Sequence, residues 1–266
     1  MRLAVISDIH ANLEALQAVA SAIEAEQVDR IVCLGDVVGY NADPEACLEL
    51  LRRLDPIWIA GNHDRAVTGQ ITTAGFSKTA AHAVAWTRER LAAEHIALLA
   101  GLALRARIGD EVVAVHGAWH PAQGCESVRL DTIERRRLSL DALADDPGGA
   151  RICLFGHTHR PAVAELVAGR MRDLGGEEVT LRADAHYLLN PGTVGQPWTA
   201  DRRACYLVLD LRARRAFFRQ TAYRYGAAAA KTRRAGLLPR FWFIPSPLRI
   251  AAKRVAAHVR GARTGS

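Results

Sequence analysis

The stretch Leu3-Ala-Val-Ile-Ser-Asp8-Ile-His10 opens the chain with four apolar residues, and an acidic residue and a histidine follow closely. A continuous apolar run of this kind indicates a strand that is buried on both faces of a sheet. Asp8 and His10 then stand just beyond the end of that strand. Because ligands bind at the carboxyl ends of the strands in open α/β sheets, both side chains are candidate ligand-binding residues.

An apolar run followed by oxygen or nitrogen donors recurs four more times along the chain. Glycines beside these donors allow sharp turns at the strand ends, so that the donors can reach one centre. Any single motif is equally well explained as a solvated turn, but all five together favour a shared metal site. The later motifs are Gly35-Asp36, Gly61-Asn62-His63-Asp64, His116-Gly117 and Gly156-His157-Thr158-His159.

The order of these motifs resembles that of the calcineurin-like metallophosphoesterases, over roughly residues 1–220. The stretches that begin at Asp8, Gly35 and Asn190 are similar to the small bacterial phosphodiesterase branch of that superfamily. The resemblance implies an α/β fold in which a two-sheet αβ sandwich carries its helices on the outside. The alternation of strand and helix patterns favours the same architecture independently. We therefore expect a catalytic domain over residues 1–225 and a basic C-terminal tail over residues 226–266.

The resemblance also implies a dinuclear centre of divalent metal ions. Mixed carboxylate, amide and imidazole donors suit borderline metals, so we expect manganese first, with iron, nickel, cobalt or zinc as alternatives. Two such ions about 3.5–4 Å apart share a hydroxide that attacks phosphorus in line. The resemblance assigns Asp8, His10 and His159 to the first metal and Asn62, His116 and His157 to the second, with Asp36 as the bridging ligand.

By the same resemblance, His63 lies near the leaving-group oxygen rather than on a metal. A histidine in that place can donate a proton to the leaving group, which is worth about 10²–10⁴ in rate. We expect the adjacent Asp64 to fix the tautomer of His63 and to favour its charged form. Capping of the helix that follows is the alternative role for Asp64.

Four further residues are candidate substrate contacts, because they lie close to the metal-binding motifs. For each of them an ordinary structural role is the alternative: a helix cap for Asn12, a turn for Asn190 and an exposed loop for the others. The segments between residues 69 and 101 and between residues 121 and 149 are predicted to form the pocket walls, where Trp198 is one candidate for stacking a flat group. The four candidate contacts are Asn12, Arg65, His120 and Asn190.

These features predict a phosphodiesterase whose substrate is a small phosphodiester or a nucleotide. A Ser/Thr protein phosphatase or another phosphomonoesterase is the alternative among enzymes. It is second choice because Gly35-Asp36 continues as Val-Val-Gly-Tyr-Asn without the Arg-Gly pair of protein phosphatases, and because Asp64 stands where those enzymes have Glu. A nuclease that grips its substrate with the basic tail and a metal-bound scaffold without turnover are the remaining alternatives.

The net charge of +7 resides in the tail, since residues 226–266 hold nine Lys and Arg and no acidic residue, which leaves −2 for the rest. The aromatic cluster Phe241–Ile244 and the basic amphipathic segment 248–259 can bind an anionic membrane surface or nucleic acid. The alternative is that they pack on the catalytic domain or on a partner subunit of a homo-oligomer.

Five cysteines without a Cys-x-x-Cys pair predict a reducing compartment. The first core strand begins at the N-terminus and leaves no room for a signal peptide. No apolar run reaches the length of about 18 residues that a membrane span needs. We therefore expect a cytoplasmic protein.

Overall fold

The first strand, β1 (Arg2–Ile6), shows why two layers must cover it. Leu3 and Val5 belong to one apolar cluster while Ala4 and Ile6 belong to another, and all four are fully buried. Because successive side chains of a strand point to opposite faces, β1 is covered on both sides. The computed structural model describes residues 1–237 and places β1 inside one of two six-stranded sheets.

The first sheet combines three parallel strands with three antiparallel ones. Strands β1, β2 and β3 are parallel, and β11, β12 and β9 extend the sheet antiparallel beyond β1. In spatial order the strands are β3 (Ile57–Trp58), β2 (Arg30–Cys33), β1, β11 (Ala204–Asp210), β12 (Arg215–Thr221) and β9 (Glu178–Thr180).

The second sheet has the same composition, with β5, β6 and β10 parallel and the other three strands antiparallel to their neighbours. The inner apolar cluster joins Leu3 and Val5 of the first sheet to Ala114 and Leu154 of the second. In spatial order the second sheet contains β4 (Arg105–Ile108), β5 (Val112–Val115), β6 (Ile152–Leu154), β10 (His186–Pro191), β7 (Pro161–Val167) and β8 (Arg170–Leu174).

Helices cover the outer faces of both sheets. Leu16 and Leu48 share a cluster with Ile6 of the first sheet, whereas Leu140 shares one with Val113 of the second. The predicted αβ sandwich with external helices is thereby confirmed. The helices are α1 (Leu13–Glu24), α2 (Pro44–Leu54), α3 (Asn62–Thr68), α4 (Lys78–Arg88), α5 (Ala93–Ala100), α6 (Ile133–Ala144) and α7 (Tyr225–Arg234).

Apolar periodicity located the helices better than it located their ends. The sequence predicts a helix from Phe76, but the hydroxyl of Ser77 accepts a hydrogen bond from the Ala80 amide, so α4 begins after Ser77. Strands β4 and β8 escaped prediction because arginines alternate with their apolar residues and they lie at sheet edges. Within residues 1–237, every helix is too short or too polar to cross a lipid bilayer.

Helix α7 contains the start of the predicted tail and packs on the catalytic domain. The ammonium of Lys231 lies 2.8 Å from a carboxylate oxygen of Glu14 and 2.9 Å from one of Asp43. The hydroxyl of Thr232 donates to the side-chain oxygen of Asn41 at 3.0 Å. The aromatic cluster 241–244 and the amphipathic segment 248–259 lie outside the described residues, and the proposed boundary at residue 226 stays a prediction.

We predict that Lys231→Met lowers the free energy of unfolding by about 1–3 kcal/mol, because it leaves the buried Glu14 carboxylate without its cation. Urea unfolding monitored by circular dichroism measures the change. The matched control is Arg233→Met, which removes an exposed cation from the same helix. Equal unfolding midpoints for the two variants would show that the contact contributes nothing.

Candidate metal centre

Five parallel strands deliver the predicted metal ligands to one end of the sandwich. Strands β1, β2 and β3 of the first sheet and β5 and β6 of the second each end just before a donor motif. The donors therefore come from both sheets. Their ligand atoms gather in groups whose members lie within 4.8 Å of one another, and two of these groups are Asp8 with His10 and His159, and Asp36 with His116 and His157.

The first group surrounds an oxygen of Asp8. Asp8 Oδ1 lies 3.3 Å from His159 Nε2 and 3.8 Å from His10 Nε2. The two imidazole nitrogens are themselves 3.2 Å apart. Asp8 Oδ1 is buried and has no hydrogen-bond donor among residues 1–237, so a buried carboxylate oxygen and two ring nitrogens converge there without a proton donor between them.

The second group is centred on Asp36. Asp36 Oδ2 lies 3.3 Å from His116 Nε2, which is also 3.1 Å from Asn62 Oδ1. The same oxygen of Asp36 is 3.7 Å from His10 Nε2 of the first group. Asp36 thus stands between the two groups, as its predicted bridging role requires.

Three imidazoles are oriented by backbone carbonyls on the side away from the centre. The Nδ1 atoms of His10, His116 and His159 lie 3.1, 2.8 and 2.8 Å from the carbonyl oxygens of Val38, Leu34 and Gln196. Because a carbonyl oxygen can only accept, each Nδ1 carries a hydrogen, and Nε2 is the ring nitrogen that can offer a lone pair to a cation. This pattern is typical of metal-ligating histidines. The residues present therefore fit a divalent cation.

The ligand residues adopt a backbone conformation that side chains other than glycine rarely take. Among residues 1–237, eleven non-glycine residues have positive φ, and five of them are predicted ligands. Such conformations cost about 1–3 kcal/mol each and persist where the surroundings enforce them. The five ligands are Asp8 (φ 55°), His10 (49°), Asp36 (53°), His157 (62°) and His159 (59°).

Burial determines the protonation states of most ligands. It lowers the pKa of His10, His157 and His159, which favours the neutral imidazole that a metal requires. Burial also raises the pKa of Asp8. His116 differs: burial lowers its pKa, but the adjacent Asp36 carboxylate outweighs that effect and raises the pKa to about 9. A cation that binds His116 therefore displaces a proton.

The predicted pairing of Asp64 with the imidazole of His63 is wrong. The Asp64 carboxylate accepts hydrogen bonds from the amides of Gly61, Asp36 and Val37 at 2.8–2.9 Å, and the Val38 amide is 3.2 Å away. Asp64 therefore joins two ligand-bearing turns, and it caps the start of α3 from the third helical position. Burial, followed by the Asp36 charge, raises the pKa of Asp64 to about 7.

His63 stands beside the centre without a partner for its Nδ1 in the described part of the chain. Its backbone amide donates to Asp36 Oδ1 at 2.8 Å, and its ring contacts His10 and Tyr40. Burial lowers the pKa of His63 to about 4, and the Asp64 carboxylate, which bonds to backbone amides, does not offset this effect. His63 can also join His10 and Asp36 in a third possible metal group.

None of the four candidate substrate contacts lines the cleft at the metal ligands, and their roles toward a substrate stay predictions. Asn12 caps α1 by accepting from the Ala15 amide, and its own amide donates to the carbonyl of Ile9. Asn190 is fully buried and donates to the carbonyl of Gly156, so it holds the turn before His157. Both act structurally.

Arg65 and His120 also lie outside the cleft lining. Arg65 is half-buried in α3, and its Nε is buried without an acceptor among residues 1–237. His120 accepts the Ala122 amide through Nδ1 at 3.1 Å in its own loop. Adjacency to a motif along the chain was a poor guide here, because a helical turn and a loop point these side chains elsewhere.

A cleft of about 870 Å³ opens over the metal ligands. Its walls include segments between residues 71 and 80 and between 127 and 135, as the predicted pocket walls require. Arg129 and Arg135 line this cleft. The sequence gives no role to Arg129. For the run Arg135-Arg136-Arg137 it favours a solvated face, with contact to an anionic substrate as the alternative.

The αβ sandwich and the buried donor cluster together are typical of metal-dependent phosphoesterases. Residues 1–214 match the model of the calcineurin-like phosphoesterase superfamily domain. An uncharacterized protein of Methanocaldococcus jannaschii is 34% identical over 211 residues, which is 78% of this chain and 82% of that protein. The chain therefore belongs to the calcineurin-like phosphoesterase superfamily, a family of metal-dependent hydrolases of phosphoric esters.

Two solved structures are similar over most of this chain. The metallophosphoesterase from Sphaerobacter thermophilus has a TM-score of 0.74 and 35% identity, with 91% of this chain and 96% of that chain covered. A hypothetical protein from Pyrococcus horikoshii has a TM-score of 0.71, 17% identity and the same coverage, and it supports the fold alone. The predicted superfamily is confirmed.

Gly195 is a position where a side chain would disturb the backbone that carries two metal ligands. Its amide donates to the carbonyl of Asp8 at 3.0 Å, and an added Cβ would lie 1.8 Å from the carbonyl oxygen of Ile9. We predict that Gly195→Ala displaces the segment between Asp8 and His10. Metal affinity should fall about 10- to 100-fold and the free energy of unfolding by about 1–3 kcal/mol.

Elemental analysis after gel filtration, together with urea unfolding, measures both effects. Gly175→Ala is the matched control, because an added Cβ at Gly175 meets nothing within 4 Å. Wild-type metal retention in Gly195→Ala would contradict the assigned packing.

Proposed function

We propose that the protein hydrolyses phosphodiester bonds at a centre of two divalent metal ions held by the seven donors named above. The observation that carries this proposal is the placement of Asp36 Oδ2 between two groups of ligands, 3.3 Å from His116 Nε2 and 3.7 Å from His10 Nε2. One carboxylate that serves both groups is what a bridged pair of ions needs. Manganese is the proposed metal, with iron, nickel, cobalt or zinc as alternatives.

When bound, the ions would supply a shared hydroxide as nucleophile and would neutralise the phosphoryl oxygens. The chain contributes the geometry for this reaction. Carbonyl oxygens hold the imidazoles of His10, His116 and His159 with Nε2 inward, and Asp64 ties the turn of Asp36 to the turn of Asn62. Ligands fixed before substrate arrives do not have to reorganise during the reaction.

His63 is the proposed proton donor to the leaving-group oxygen. It lines the cleft, and the bond from its amide to Asp36 Oδ1 holds it beside the proposed bridging ligand. Its Nδ1 is buried against Gly39 and has no partner among the described residues, so Nε2 is the nitrogen that we propose to reach a substrate oxygen. Asp64 has no part in this step because its carboxylate is occupied by backbone amides.

A diester rather than a monoester is proposed as the substrate because of the motif resemblance described above. The departures from the protein phosphatase pattern at Val37 and Asp64 support the same ranking. Asp64 here bonds to backbone amides of two turns, and a longer Glu would not fit the same place without moving them. A small phosphodiester or nucleotide as substrate, a cytoplasmic location and a homo-oligomeric state are parts of the same proposal.

Metal reconstitution tests the proposed reaction. We predict that protein stripped of metal is inactive, that Mn²⁺ restores hydrolysis, and that bis-p-nitrophenyl phosphate is cleaved with a higher kcat/KM than p-nitrophenyl phosphate. Ni²⁺, Co²⁺, Zn²⁺ and Mg²⁺ are compared in the same assay. Asp36→Asn serves as the inactive control, because it weakens the carboxylate between both groups. A preference for the monoester would reverse the proposed ranking, and inactivity with every metal would overturn the proposal.

We predict that His63→Ala lowers kcat about 10²–10⁴-fold while metal content stays at the wild-type level. Turnover of bis-p-nitrophenyl phosphate and elemental analysis of the same samples give the two readouts. The variant His82→Ala, at a position outside the cleft lining, is the matched control. Loss of metal in His63→Ala would instead make His63 a ligand, in agreement with its place near His10 and Asp36.

A further inference from the structure

Two arginines line the cleft beside the metal ligands His157 and His159. Arg129 precedes α6, and Arg135 lies in its first turn. The chemistry proposed above makes no use of either side chain. Arginines in a cleft are significant because a planar guanidinium matches the geometry of a phosphate and can donate two parallel hydrogen bonds to it.

Arg129 is held in place by two contacts that lead directly to metal ligands. Its Nη1 donates to the carbonyl oxygen of His157 at 3.0 Å. Its Cζ lies 5.0 Å from the ring centroid of Trp198. The Trp198 ring in turn stacks on the His159 imidazole, with centroids 4.0 Å apart and an interplanar angle of 15°. The guanidinium is therefore positioned relative to the metal centre before any substrate binds.

These contacts also define the role of Trp198. The sequence suggested that its indole stacks a flat group of the substrate, but the ring already contacts the His159 imidazole and the Arg129 guanidinium. A cation over an aromatic face is attracted by the negative charge density of the ring. Trp198 is thus a positioning residue for Arg129.

The charge balance at this wall leaves one positive charge. Asp131 Oδ2 lies 3.4 Å from Arg129 Nε, and Asp131 Oδ1 lies 3.0 Å from Arg135 Nη1. One carboxylate therefore faces two guanidiniums. The Arg129 and Arg135 side chains remain 33% and 49% exposed, and Nη2 of Arg129 has no acceptor among residues 1–237. An incoming anion can take these donors.

We propose that Arg129, assisted by Arg135, binds a second phosphate group of the substrate while the scissile phosphodiester lies at the metal centre. The substrate class is then a phosphodiester that carries a further phosphate, such as a phosphorylated nucleoside ester. This inference rests on the proposed function, because it assumes that a phosphodiester occupies the centre. It adds a residue that selects among phosphodiesters by charge.

A pair of chromogenic esters tests the proposal. The p-nitrophenyl phosphodiester of thymidine is compared with the same ester carrying a further phosphate on its free sugar hydroxyl. Both release p-nitrophenol from the same type of bond, so their ratio of kcat/KM reports only on the added phosphate. We expect the wild-type enzyme to prefer the phosphorylated ester about tenfold, mainly through a lower KM, and to lose this preference at high salt.

The variant Arg129→Gln/Arg135→Gln should bring the ratio of the two kcat/KM values close to one. Loss of the Arg129 bond to the His157 carbonyl slows the cleavage of both esters alike, so this effect cancels in the ratio. Trp198→Leu should lower the ratio partly, because it removes only the support of the guanidinium. Arg212→Gln is the matched control, since this exposed arginine lies after β11, at the end of the sheet opposite the metal ligands. Metal content is measured in every variant.

The outcomes separate this inference from the function on which it rests. Equal kcat/KM for the two esters in the wild type, failure to cleave the phosphorylated ester, or an unchanged ratio in the double variant would overturn the second phosphate site while bis-p-nitrophenyl phosphate is still cleaved. Inactivity of the wild type toward every diester with every metal would instead overturn the proposed function.

Discussion

The whole site depends on buried carboxylates and imidazole lone pairs that face one another. Asp8 and Asp36 are at most 1% exposed, and the Nε2 atoms of His10 and His159 are 3.2 Å apart with both Nδ1 hydrogens committed to carbonyl oxygens. Burying charge and unpaired lone pairs is costly without a compensating partner. A divalent cation is the partner that suits all of these donors at once.

The convergence of these ligands requires a strained backbone at several of them. Five ligand residues have positive φ, and each is enforced by neighbouring turns rather than by its own preference. The turn that ends at Gly195 holds the carbonyl of Asp8, and the Asp64 carboxylate joins the turns of Asp36 and Gly61. The sandwich core on both faces of β1 supports these turns, because β5, β6 and all of β1 after Arg2 are buried. Core packing, backbone strain and ligand geometry therefore depend on one another at this end of the two sheets.

The cleft wall adds a separate property to this shared centre. The arginine pair Arg129 and Arg135 lies in a segment that sits between the ligand-bearing strands β5 and β6 and can vary without changing either strand. Substrate selection by such a wall would leave the chemistry of the metal ligands intact. Helix α7 likewise supports the centre without supplying a ligand. Its Thr232 hydroxyl donates to Asn41, and the Asn41 side chain donates to the carbonyl of His10.

The sequence by itself determined the five strands that end at the donor motifs, the donors that follow them and the superfamily, because apolar runs and short motifs are recognisable without knowing which residues lie nearby in space. It also determined the sandwich and the outer helices through their periodicity. Only the tertiary structure decided that Asp64 serves backbone amides instead of His63, that Asn12, Arg65, His120 and Asn190 miss the cleft, and that Arg129 reaches it. Those outcomes depend on where a side chain points after a turn, and contacts between residues far apart along the chain set that direction.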